Sequence, residues 1–452
     1  MPALVTAGLV ALHLLMKPGA GHGSVARSIV LGAALCAFGA MYARRRWRRA
    51  ITVSLALGLG SVLLALAVTA RPNGNDIWYY QMYGRIVSTY HDSPYKHSPS
   101  EYQHDPFLHR TGGVFNGTRA EYGPVWIAAA TTIAAVTGTN ALAARLAWQG
   151  LAALAVFLSL LLVARSTRDG AAVALVALNP VILFAVVNAG HNDAFIGLAL
   201  CAAVLLARAE HYVLAALACT VAALVKAPVG LALVGLLVWL AYRHGVHKAV
   251  RPAIVAAAVG VLAIAASGGR AMLEPMFKAR LRTDRLTPWN LARLRGIETW
   301  QGHGYVQLGV PPKQLAAIAV AVTLVVAAVL ILGALRDPDP APVVALALAS
   351  WLLIALYSLP WSLGWVMPVL ALRRRALVTR VLPAVFGLQL LTAQWSAVTE
   401  FAIVWKTAHV HVYDHVLAVL IDCSMVAAVA AVIVLVLDAA RRVSLRRAPA
   451  DN

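Results

Sequence analysis

The residues of this chain best suited to chemistry stand in short polar runs between long apolar ones. The first run is Asn75-Asp76-Ile77-Trp78-Tyr79-Tyr80-Gln81-Met82-Tyr83-Gly84-Arg85. Read as a helix, it brings positions three, four and seven residues on to one face, so Tyr79, Tyr80 and Tyr83 flank Asp76. A carboxylate placed this way can take a hydroxyl proton as a general base, and rings beside it can pack on the C–H face of a sugar. A structural role accounts for the same residues. Asx residues start helices, acids suit the first turn, and Tyr and Trp gather at membrane interfaces.

A second run, Asn188-Ala189-Gly190-His191-Asn192-Asp193, joins two apolar stretches. Polar side chains crowded at a membrane boundary are costly to hold without use, which favours function over a solvated turn. His191 and Asn192 are substrate-binding candidates. Asp193 is a catalytic candidate that orients a substrate hydroxyl, holds a metal ion or supports Asp76. Lys226, before Ala227-Pro228, is a lone base in an apolar hairpin. It either snorkels or binds an anion, and a lipid phosphate is the candidate partner.

A basic run follows in Lys278, Arg280, Arg282 and Arg285, ahead of Thr287-Pro288-Trp289-Asn290. Arginine forks hold phosphate bidentately, which makes Arg280, Arg282 and Arg285 a candidate phosphate clamp, although long loops also carry such charges without a role. Trp289 and Asn290, Tyr122 in Glu121-Tyr122-Gly123-Pro124, and Trp361 in Pro360-Trp361-Ser362-Leu363-Gly364-Trp365 complete the substrate-binding candidates. His409, His411, Asp414 and His415 lack the spacing of strong zinc signatures and read as interfacial polar residues. No metal site is assigned.

Composition says what must position these residues. Of 452 residues, 61% are hydrophobic and 12% charged, against about 45–50% and 25% in soluble domains. This excludes a soluble globular protein, a disordered chain and a coiled coil. A hydrocarbon core about 30 Å thick takes roughly 20 apolar residues per span, which gives about 13–14 transmembrane helices. They are expected at 2–16, 28–42, 50–69, 140–165, 171–187, 193–209, 211–226, 228–243, 249–267, 314–335, 341–357, 361–373, 376–394 and 415–438. The fold expected is an all-α, polytopic integral membrane protein with two large outer loops carrying short interfacial helices. Cys36, Cys201, Cys219 and Cys423 all fall in apolar spans and read as small packing residues.

Thirty-eight basic residues less 18 acidic ones leave +20. Nucleic acid is set aside as a partner, because the basic residues cluster in short loops as the positive-inside rule produces. Arg44 to Arg49 are placed in the cytoplasm, and residues 70–121 then lie outside. Arg165 to Arg168, Arg208, Tyr242 to Lys248, Arg336, Arg373 to Arg380 and Arg441 to Arg447 fall inside with the same parity, and both termini are cytoplasmic. This requires that the short stretch 122–137 does not cross. The organisation expected is two N-terminal spans and a basic loop in 1–49, a catalytic half in 50–267 with a first outer loop at 70–139, a second outer loop at 268–313, and C-terminal helices with a cytoplasmic tail in 314–452.

In order and placement, Asn75-Asp76, Ser93-Pro94-Tyr95, Asp105-Pro106-Phe107, Tyr122-Gly123-Pro124, Gly190-His191-Asn192-Asp193, Lys226, Thr287-Pro288-Trp289-Asn290 and Pro360-Trp361 with Trp365 resemble the polytopic membrane glycosyltransferases of the C fold. They look most like the actinobacterial polyprenol-phosphate-mannose-dependent mannosyltransferases, over roughly residues 50–400. The resemblance implies an inverting transfer of a sugar, mannose by family default, from a polyprenyl-phosphate donor to an envelope glycolipid or polysaccharide acceptor at the outer face of the cell membrane. It makes Asp76 the general base. It gives Lys226 and the second-loop arginines the leaving phosphate to stabilise, and it sets Asp193 where members of the wider fold place a second acidic group. This chain has Asn75-Asp76 where others carry an acidic pair, so no cofactor is implied and a divalent metal is not indicated. A transporter or flippase of a lipid-linked or anionic substrate is the alternative, and it predicts charges at mid-membrane on broken helices, of which the sequence has few. A non-catalytic envelope-assembly subunit is the other, and a missing Asp76 would have marked it.

Overall fold

The structure is a computed structural model that describes residues 1–16, 22–289, 295–300, 303–308, 310–373, 376–404 and 410–444. It is a polytopic bundle of apolar helices. Six are long and apolar enough to cross a membrane: Ser24–Ala43, Ala141–Thr167, Ala227–His244, Val246–Ala266, Pro312–Ala334 and His411–Ser444. Gly170–Ala177 and Ile182–Asn188 make a seventh if the pair, bent by 57°, is one broken span. Five shorter apolar helices accompany them: Pro2–Leu15, Val53–Thr69, Pro124–Thr137, Tyr212–Ala223 and Ala341–Ile354.

The expected spans are therefore not all full-length helices. At a rise of 1.5 Å per residue, helices of this shorter class reach about 18–26 Å, below a core of about 30 Å. They are packed between longer neighbours. Tyr212–Ala223 lies against Asp193–Arg208 and Val246–Ala266, and Ala341–Ile354 lies against Pro312–Ala334 and Gly230–His244. The stretch expected at 361–373 divides into a tight turn, Pro360–Trp365, and a short helix, Met367–Leu372. The helix expected at 376–394 continues to Val404. The second loop, 268–313, holds the helix Arg270–Ala279 and, among the described residues, one departure from an all-helical plan, an antiparallel hairpin pairing Arg295–Trp300 with His303–Leu308.

Two local features aim the polar turns. At Asn179-Pro180 the chain breaks, since proline brings no N–H to the ladder. Asn179 Oδ1 accepts from the Val181 N–H at 2.9 Å instead. The π-helix Ile182–Asn188 follows and leads into the turn at Gly190 and His191. The helix Asp76–Ser88 packs closely on Pro124–Thr137. A Cβ on Gly84 would lie 2.1 Å from the Ala130 carbonyl oxygen. Gly84→Ala is therefore expected to cost about 3 kcal/mol, the upper range for an overpacked contact. Thermal unfolding of the purified protein checks this, and an unchanged midpoint would show that the helices can part freely.

Contacts gather the loops into two ends. At one, Arg208 donates to Ser166 Oγ at 3.0 Å and pairs with Asp339 at 2.6 Å, while Arg373 pairs with Asp337 at 3.2 Å and Asp339 at 3.4 Å. At the other end of the helix Asp193–Arg208, about 24 Å away by its length, stand Asp193, His191, Asp76 and Lys226.

Candidate active site

Four segments converge on Asp76. The end of Val53–Thr69 is pinned first. Asn188 Nδ2 donates to the carbonyls of Ala67 and Arg71, both at 3.0 Å, and its Oδ1 accepts from the Asn73 N–H at 3.0 Å. Gln149 Nε2 adds bonds to the Ala67, Ala70 and Asn188 carbonyls. These pins fix where the helix Asp76–Ser88 begins. Gly190, at φ +67°, then lets the following turn approach, because a Cβ there would meet Ile77 Cγ2 at 2.6 Å. The outcome is His191 Nε2 at 3.4 Å from Asp76 Oδ2.

His191 lies between two carboxylates. Its Nδ1 is 3.7 Å from Asp193 Oδ2 and 3.5 Å from the Tyr80 hydroxyl, and its ring stacks on Trp361 at 4.3 Å and 21°. Burial, with the Lys226 charge second, drives its pKa well below the ordinary value, so the ring is neutral. Asp193 has no exposed side chain, and Lys226 Nζ donates to both of its oxygens, at 2.9 and 3.1 Å. The Trp365 indole N–H donates to Asp193 Oδ1 as well, and Lys226 sits 5.7 Å from the centre of the Trp365 ring. Close glycine packing makes this possible: a Cβ on Gly197 would be 2.2 Å from the Gly364 carbonyl oxygen.

Asp76 differs from Asp193. Its side chain is 28% exposed, and among the described residues no lysine or arginine lies within ion-pairing distance, yet protein surrounds it on most sides. Desolvation raises its pKa to about 6; Lys226 lowers it, Asp193 raises it, and a backbone hydrogen bond lowers it, in that order. A partly exposed carboxyl group tuned towards neutrality is suited to accepting a proton.

Around this centre the second loop closes over the first. Arg282 pairs with Glu121 at 2.6 Å, and its guanidinium lies 4.9 Å from the centre of the Phe115 ring. The loop is strapped to the segment after Ala341–Ile354: the Asp284 N–H donates to the Leu356 carbonyl at 2.8 Å, and the Trp289 indole donates to the Ile354 carbonyl at 2.6 Å. Burial raises the pKa of Glu121 and of Asp284. Tyr357 emerges here, and burial first, then the charge of Asp284, raises the pKa of its hydroxyl.

The sequence candidates thus separate by position. Asp76, Tyr80, Tyr122, His191, Asp193, Lys226 and Trp361 come together, with Tyr80 edge-on to Tyr122 at 5.2 Å. Asn192 is fully buried beside them, and its amide has no hydrogen-bond partner among the described residues. Arg282 stands at the rim. Tyr79 and Tyr83 instead hold the first loop: the Phe115 N–H donates to the Tyr79 hydroxyl at 2.8 Å, and the Tyr83 hydroxyl donates to the Thr118 carbonyl at 3.0 Å. Trp289 likewise anchors backbone. Arg280 lies over Phe277 and lines a different groove. Arg285 is half-buried in the strapped loop, and Asn290 lies outside the described residues. Asp105 proves structural, its carboxylate taking Arg85 at 2.7 Å and the Tyr90 hydroxyl at 2.9 Å. Sequence reasoning did not place Glu121, Asp284, Trp365 or Tyr357 at the site. Trp365 carried a signal in its Trp-rich turn, which also reads as a membrane anchor, whereas Tyr357 carried none.

No relative is found among the curated proteins. Residues 66–243, the stretch that holds Asp76, His191, Asp193 and Lys226, match the model of the MptA_B family, described as alpha-(1->6)-mannopyranosyltransferase, N-terminal domain, and with its apolar helices the chain is in keeping with a polytopic membrane mannosyltransferase.

Proposed function

We propose that the protein moves mannose from a polyprenyl-phosphate donor to a hydroxyl of an envelope glycolipid or glycan, on the outer face of the cell membrane, with inversion. The observation that carries this reading is Asp76: a partly exposed carboxylate with its pKa raised to about 6, 3.4 Å from a neutral histidine. The acceptor hydroxyl gives its proton to Asp76. Its oxygen attacks the anomeric carbon from the face opposite the phosphate, the bond to phosphate breaks, and the electron pair leaves with the polyprenyl phosphate. An α product formed with inversion requires a β-linked donor. Lys226 and Arg282 are the cations for the leaving phosphate. Each is oriented by a carboxylate, and each keeps further N–H groups for a second anion. The outer placement rests on the grouping of the basic ends, Arg208 and Arg373, away from Asp76, since cytoplasmic loops carry the excess of Lys and Arg.

The test is transfer in proteoliposomes from radiolabelled polyprenyl-phosphate-mannose to a membrane glycolipid fraction, followed across pH. The base is the deprotonated form, so transfer is expected to rise through about pH 6 and then level. A profile flat from about pH 5 to 8 would remove Asp76 from the base role. Transfer from a nucleotide-linked mannose alone would overturn the donor.

A further inference from the structure

A large groove lies at the end of the bundle opposite Asp76, and the transfer chemistry does not use it. It is a groove of about 1060 Å³ between the helices His22–Ala43 and Val378–Val404. Its walls are apolar and partly glycine, with Leu35, Gly39, Gly387 and Leu391 among them. Cys36 and Gly39 are exposed on its rim, so it opens sideways from the bundle. Its mouth is basic, formed by Arg48, Arg49 and Arg380, and no acidic residue lines it. Arg48 donates to the Tyr42 carbonyl and so is held in place. From Thr379 to Leu391 the groove follows twelve residues of helix, a rise of about 18 Å. Half of a bilayer core is about 15 Å.

We propose that this groove is a binding site for an anionic diacyl phospholipid of the leaflet opposite the catalytic face. The depth matches one leaflet of acyl chain, and the arginines meet the phosphate at the headgroup level. Basic pockets between transmembrane helices take anionic lipid headgroups in this way. The volume is at the upper limit of ligand pockets, about 300–1,000 Å³, which suits acyl chains rather than a small anion. The inference goes beyond the proposed transfer reaction and does not depend on which sugar is moved.

The test is native mass spectrometry of the full-length protein, released from detergent after incubation with equal amounts of phosphatidylglycerol, phosphatidylcholine and a polyprenyl phosphate. Wild type is expected to retain phosphatidylglycerol about 10-fold over phosphatidylcholine, from two or three arginines near the headgroup. The double variant Arg49→Gln/Arg380→Gln is expected to bring that ratio near one. Gly39→Leu places a side chain where a Cβ meets nothing within 4 Å, and it should reduce retention of both phospholipids without disturbing the fold. Equal retention of the two phospholipids by wild type would overturn the proposal, as would an unchanged ratio in the double variant. Preferential capture of the polyprenyl phosphate would overturn the assigned occupant. Mannosyl transfer is not read in this experiment, so its outcome stands apart from that of the donor assay.

Discussion

Asp76→Asn is expected to lower mannosyl transfer by about 10²–10⁴-fold, the contribution typical of a positioned general base, with the folded protein intact. The amide keeps the shape of the side chain and removes only its capacity to accept a proton. Because Asp76 has no ion-pair partner beyond its 3.4 Å approach to a neutral histidine, neutralising it leaves no counter-charge stranded. Its raised pKa means that burial already disfavours the charge, so the variant should melt no lower than wild type. Transfer in proteoliposomes and thermal unfolding, measured on the same preparation, check both halves. Wild-type turnover in the variant would reject the mechanism.

Lys226→Met is expected to behave in the opposite way, with stability falling first. Asp193 is completely buried, and the ammonium holds both of its oxygens. Removing one partner of a buried pair strands the other charge and costs about 3–5 kcal/mol. The low end, about 3 kcal/mol, is expected here because 18% of the lysine side chain still meets solvent. Replacing both residues by apolar ones of similar volume is often neutral, so Asp193→Leu/Lys226→Met should recover most of the lost stability while transfer stays low. A double-mutant cycle on unfolding midpoints separates the coupling from the single losses. Should Lys226→Met fold like wild type and only raise the KM for donor, the lysine would be a phosphate ligand whose pairing with Asp193 carries no weight.

Much of the candidate site was legible because it breaks a pattern. Asp76, His191, Asp193 and Lys226 are polar exceptions in a chain that is 61% hydrophobic, and such exceptions in membrane proteins have few structural uses. What the sequence withheld was the division of labour. Tyr79, Tyr80 and Tyr83 share a helix face, yet one ring turns to His191 and two hydroxyls hold loop backbone. Nothing in a helical repeat distinguishes them, since the difference lies in what the neighbouring loop presents. Arg280 and Arg282 are two residues apart just beyond the end of the helix Arg270–Ala279, where no helical repeat fixes their directions. One reaches Glu121 and the other lies over Phe277. Tyr357 comes from an ordinary Ala355-Leu356-Tyr357-Ser358 stretch, and only the strapping of the second loop against it brings it to the carboxylates. Of the fold, the helical class was plain from composition. The bend at Asn179-Pro180 was hidden inside an apolar run of ordinary span length.

Asp76, the proposed base, and the residues closest to it lie within 66–243, whereas Arg282, Tyr357, Trp361 and Trp365 come from later in the chain. Descent can therefore act on the two parts at different rates. A lineage can rework the later residues, and with them the shape and charge presented to incoming molecules, while keeping the proposed proton-accepting centre unchanged.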